Sequence, residues 1–176
     1  MSNVLIGIIG VILFIGLALA GALFLGPRFQ DATVDSKAAA LVQQVSQVAH
    51  ARAMYRVQQG QEPTDFSEAG LIPGYLKARP VNPTNPDYNY NVIDADGEWA
   101  GPSGVGRPGY VVIAGIGGDA AVAAKICASV SRQTGLAIAG PQEITSLTQI
   151  TNPVACIKPT VKIGQVAPNI YIVAKV

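Results

Sequence analysis

The sequence is poor in the residues that most often carry chemistry. It has one histidine, His50, two cysteines, Cys127 and Cys156, and one tryptophan, and only 6% of it is aromatic. With a single histidine on a helical stretch there is no His/Cys set at metal-ligand spacing. There is also no nucleophile motif and no glycine-rich phosphate loop between a strand and a helix, so neither a cofactor, a metal nor an enzymatic activity is expected. Charge is scarce as well. Charged residues make up 13% of the chain and the formal net charge is +1, which argues against a nucleic-acid surface. No charged side chain precedes Arg28, and no acid precedes Asp31.

An apolar run of 23 residues, Val4 to Gly26, fills that uncharged space. As a helix it is about 34 Å long, enough to cross the hydrocarbon core of a bilayer. A cleaved secretory signal fits less well, because the n-region is only Met1, Ser2 and Asn3 and the run is longer than a signal core. A buried core helix fits poorly too, since the run lies at the chain end without a polar face. Two readings remain, a membrane-spanning segment and a helix that packs among copies of itself. Gly7 with Gly10, Gly16 with Ala20 and Ala18 with Ala22 place small residues at helical spacing, which allows close helix approach, although any membrane helix carries such residues.

Pro27 follows the run directly and is expected to kink or loosen the helix at Gly26 and Pro27. From Phe29 to Gln59 there is neither Gly nor Pro, and Val34, Ala38, Leu41, Val45, Val48 and Tyr55 form one apolar stripe broken only by Arg52. Asp35, Gln43, Gln47 and Arg56 occupy the other side, and Gly60 is the expected stop. The chain therefore divides into an apolar helix over 1–27, an amphipathic continuation over 28–59, and a globular head over 60–176. About 150 residues beyond the apolar run suffice for one domain.

In the head, five prolines from Pro63 to Pro86 cut a loop into short pieces, with a brief helix or turn at 67–76. Strands are expected at 88–93 and 110–116 as an antiparallel pair, and again in the closing "NIYIVAKV". A helix is expected between the N-cap Asp119 and the stop Gly135, with Val122, Ile126 and Val130 facing one way. A second short helix is expected from Pro141 to before Pro153. The order of elements is α+β. "NVIDADGEWAG" resembles a fragment of a calcium loop through Asp94, Asp96 and Glu98 but lacks the full ligand spacing, and as a turn closed by Gly97 it needs no metal. Cys127 and Cys156 pair naturally if the head lies in an oxidising compartment, and are otherwise two buried thiols.

The apolar helix running through a proline into "DATVDSKAAALVQQVSQVAHARAMY", the "GLIPGYL" and "VNP" loop and the C-terminal cysteine pair together resemble a type IV pilin. The chain length and the cysteine in "AAKICASV" make it most similar to the toxin-coregulated-pilin-like, type IVb group. The resemblance implies a long helix packed on an antiparallel β-sheet head and an extracellular filament of identical subunits. It also implies residence in the inner membrane, head in the periplasm, before an assembly machinery takes the subunit up. Val4, Leu5, Ile8, Ile12, Phe14, Ile15, Leu19 and Phe24 would pack in the filament core. Gly26 and Pro27 would lie where the helix loosens, and Cys127 and Cys156 would close the disulfide region that contacts neighbours and host. Most type IV pilins have glutamate as the fifth mature residue, whereas this chain has Leu5. Some minor pilins and secretion pseudopilins also lack that glutamate, which makes such a subunit the alternative. A membrane-anchored periplasmic binding domain is a further one.

Overall fold

The computed structural model describes residues 2–60, 63, 71–87, 90–93, 96–97, 111–137, 140–164 and 166–175, with the side chains of residues 2–5 and 25–27 excepted. The chain divides into two compact units, Met1–Val34 and Asp35–Val176. One helix, α1, runs over Ser2–Gln59 and contributes to both. Its backbone stays helical across Gly26 and Pro27. Gly60, at φ 68°, ends it and donates its N–H to the Arg56 carbonyl at 2.9 Å, the left-handed closure that glycine adopts most readily.

The second unit is α+β. After α1 come β1 (Tyr90–Ile93), β2 (Val111–Gly115), α2 (Ala120–Gln133), β3 (Gln142–Ile144), β4 (Val154–Pro159) and β5 (Tyr171–Lys175). The five strands form one sheet in the order β1-β2-β5-β4-β3. β1 and β2 pair antiparallel, as expected of two β-branched or aromatic runs divided by a turn cluster, and β2 with β5 and β4 with β5 are antiparallel too. β3 pairs parallel with β4, so the sheet is mixed where a purely antiparallel one was expected.

Register assigns the faces. Tyr90, Val112, Ala114, Cys156, Ile172 and Ala174 share one side of the sheet, because strand side chains alternate and these positions are opposite or two apart. That side meets the helices: the Tyr90 hydroxyl donates to Gln44 Oε1 on α1, and Cys156 is bonded to Cys127 on α2. Ala38, Leu41, Val45, Val48 and Tyr55 are buried, so the stripe read from the sequence is the packed face of α1. The stripe is not interrupted at Arg52, which is 1% exposed and the largest buried side chain. The opposite face of the sheet carries Ile93, Val111, Ile113, Ala155, Ile157 and Val173. Ile144 of β3 extends that face, and Leu147, Ile150, Ile163 and Val166 pack against it.

The α2 boundaries follow the predicted signals. Asp119 caps the helix by accepting from the Val122 N–H at 2.8 Å. Ile126 and Val130 are buried, while Val122 on the same stripe stays exposed and the adjacent Ala123 is buried in that turn. The second short helix expected from Pro141 is absent. Gln142–Ile144 is strand β3, followed by a single 3₁₀ turn at Leu147–Gln149. The effective start signal is Ser146, which forms a capping box with Gln149, so the turn begins six positions late and has no length left before Pro153. Cys156 consequently sits within a strand, β4, and does not follow a helix. Close backbone approach ties two loops behind the sheet. A Cβ at Gly97 would collide with the Ile163 carbonyl, and one at Gly164 would stand 2.6 Å from the Asp96 carbonyl oxygen.

Candidate functional site

The first unit offers a site made only of apolar side chains. From Ile6 to Phe24 twelve large hydrophobic residues are exposed, among them Ile12 at 64%, Phe14 at 73% and Leu23 at 79%. Ile8, Ile12, Ile15 and Leu19 follow steps of four and three and share one helix face, while Ile6, Leu13, Leu17 and Phe24 occupy the opposite one. A Cβ built at Gly7, Gly10, Gly16 or Gly21 would meet nothing within 4 Å, so the small-residue sites open onto free space. Of the residues expected to pack in a filament core, Ile8, Ile12, Phe14, Ile15, Leu19 and Phe24 are therefore exposed along the helix. Val4 and Leu5, with Gly26 and Pro27, have side chains outside the described residues. The guanidinium of Arg28, the first charge in the chain, stands 5.9 Å from the centre of the Phe24 ring one turn back. By length and composition this helix can cross a membrane, the one helix among the described residues that can.

The head carries a polar cluster that joins α1 to α2. Asp35 Oδ1 accepts from the Ser129 hydroxyl at 2.6 Å and from Arg132 Nη2 at 2.8 Å. Gln133 Nε2 donates to the Asp35 main-chain carbonyl at 3.3 Å and to Ser129 Oγ at 3.2 Å. Ser129, Arg132 and Gln133 lie at i, i+3 and i+4 on α2, one surface of its last two turns. The Ser129 hydrogen bond, with Arg132 beside it, holds the Asp35 carboxyl below its ordinary pKa. Tyr90 is shifted the other way, its phenol pushed up by burial.

Elsewhere the head contains a cavity of about 260 Å³ between the start of α2 and the ends of β2 and β5, lined by Gly115, Ile116, Ala120, Ala123, Lys158 and Tyr171. Lys158 reaches Glu143, its register partner on β3, at 3.8 Å, with both side chains largely in solvent. Such an exposed pair contributes little. Among the described residues no three His, Cys, Asp or Glu side chains cluster as metal ligands would. Asp94 and Glu98 of the calcium-like stretch lie outside the described residues, and Asp96 is exposed. His50 is exposed on α1.

Cys127 and Cys156 form a disulfide, with Cα atoms 5.5 Å apart, as one of the two sequence readings anticipated. The sequence reading missed the Asp35 cluster and the cavity. The cluster had a signal in the Ser129, Arg132 and Gln133 spacing on α2, but its partner lies 94 residues away from Ser129. The cavity had none, because its lining, mostly small and aliphatic residues with Lys158, Asn169 and Tyr171, is drawn from four elements and loops and forms no motif in the sequence. No family model matches the chain, and neither a curated protein nor a solved structure matches it.

Proposed function

We propose that this chain is the structural subunit of an extracellular, type IV pilus-like helical filament. Its N-terminal helices would bundle in the filament core and its α+β heads would tile the outside. Before assembly, the same helix would hold the subunit in the inner membrane with the head in the periplasm. One observation carries this reading: the side chains from Ile6 to Phe24 are apolar around the whole helix and exposed, and α1 continues into the packed helix of the head. Burying twelve such side chains is worth on the order of 20 kcal/mol, and water cannot supply that environment. A bilayer and a bundle of like helices both can.

A specific test is Ile12→Lys. A lysine in the middle of the apolar run is costly in either setting, so filaments should be lost. The melting temperature of the head should stay unchanged, because Ile12 belongs to the other unit. Normal filaments from this variant would overturn the reading.

Electron microscopy of material sheared from the cell surface, with mass spectrometry of its main band, separates the alternatives. Thin filaments built mainly of this chain support a major subunit. A chain present at low copy in filaments of another protein would be a minor pilin or pseudopilin, which Leu5 in place of the usual glutamate favours. A monomer in the membrane fraction without filaments would be an anchored binding domain, and the cavity beside α2 would be the place to seek its ligand.

A further inference from the structure

Asp35 occupies a particular place on α1. Residues 28–33 are all exposed and Val34 is half-buried, whereas Ala38 and Leu41 are fully buried. Asp35 is thus the first residue of the head's helical segment to be fixed, and it is fixed by hydrogen bonds and charge while the turns after it are fixed by packing. We propose that Asp35, Ser129, Arg132 and Gln133 form an acid-releasable latch that holds the first turn of that segment against the end of α2. This inference is independent of the filament reading.

The geometry supplies the argument. One carboxylate oxygen accepts two hydrogen bonds, and the Asp35 carbonyl, next to the first buried turn, accepts a third from Gln133. Ser129 is 1% exposed, so its O–H depends on Asp35 as acceptor and would lose that acceptor if the latch opened, keeping the bond it accepts from Gln133. Arg132 also sits in the last turn of α2, where a cation is favoured by the helix dipole. The charged group facing Asp35 from α2 is Arg132. On its own helix Asp31 lies one turn before it and Lys37 two residues after. The latch needs the ionised carboxylate. Because the carboxyl pKa is depressed in the fold, its contribution is complete above the ordinary value of 3.8 and is lost as pH falls through the lower folded value. Protonation removes the charge that Arg132 meets and weakens the acceptor for Ser129. No packing replaces either, since the Asp35 and Arg132 side chains are 52% and 69% exposed.

Hydrogen exchange followed by mass spectrometry on the full chain in detergent micelles tests this, with rates corrected for their intrinsic pH dependence. At neutral pH Asp35→Asn should raise exchange over residues 35–40 by roughly fivefold, with β2 and β5 unchanged. Wild type should approach that level as pH falls below the ordinary carboxyl value, and Asp35→Asn should show no further acid response in this segment. Arg132→Gln, a change at an exposed side chain, should reproduce the local rise and serves as the second variant if Asp35→Asn disturbs folding. Unchanged protection over 35–40 in both variants, or a rise spread equally over the sheet, would overturn the latch.

Discussion

At the scale of single residues, the side chain of Asn82 joins the long loop to the sheet. It is 3% exposed, and its Nδ2 donates to the Gly115 carbonyl at 2.7 Å. Its Oδ1 accepts from the Thr84 N–H at 2.9 Å and from the Thr84 hydroxyl at 2.6 Å. Thr84 Oγ1 in turn accepts from the Gly117 N–H at 3.1 Å, so one amide organises the loop and the exit from β2 together. Asparagine suits the place because it donates and accepts from one short, stiff group. Asn82→Ala leaves the Gly115 carbonyl and the Thr84 N–H without their partner in a buried site, and should destabilise the head by about 1–3 kcal/mol in a urea melt. A loss within a few tenths of a kcal/mol would show that water replaces the amide.

At the scale of elements, the disulfide joins α2 to β4 across the helix-covered face of the sheet. The two cysteines are 29 residues apart, so in the chain-entropy account the bond stabilises the head by about 3–4 kcal/mol. The double variant Cys127→Ala/Cys156→Ala should lower the head's stability by about that amount in a denaturant titration, plus about 1 kcal/mol for lost packing at two buried sites. A melt that does not change would mean the packing of α2 on the sheet suffices without the covalent link. The long helix was legible in the sequence because it is carried by periodicity over many residues, and α2 because Asp119 and Gly135 mark both ends. β3 and β4 were not. "QEI" is too short to show a period, and "VACIKP" lies between prolines and contains lysine and proline, so its extended form is decided by pairing with β5 and β3. The apolar surface of the first unit was equally plain, since it consists of composition alone. The Asp35 latch was hidden because Asp35 stood on the face read as solvated and its partners belong to another element.

At the scale of the whole molecule, the strand order governs how the head holds together. Among the described residues, β1 pairs only with β2 and β3 only with β4, and β5 alone connects the two halves of the sheet. Deleting Tyr171–Lys175 leaves a two-stranded antiparallel piece and a two-stranded parallel piece, neither of which is stable by itself in water. The expected outcome is a head without a cooperative thermal transition, read by circular dichroism. A truncated chain that still melts cooperatively would show that α1 and α2 organise the halves without the central strand. The same order fixes a timetable. Helix α1 is made before the sheet, and β5, the strand that joins its two halves, begins more than 110 residues after α1 ends. For that whole interval the helical stripe from Ala38 to Tyr55 has no finished surface to lie on, so the growing chain needs shelter for both its exposed apolar helix and this stripe until β5 arrives.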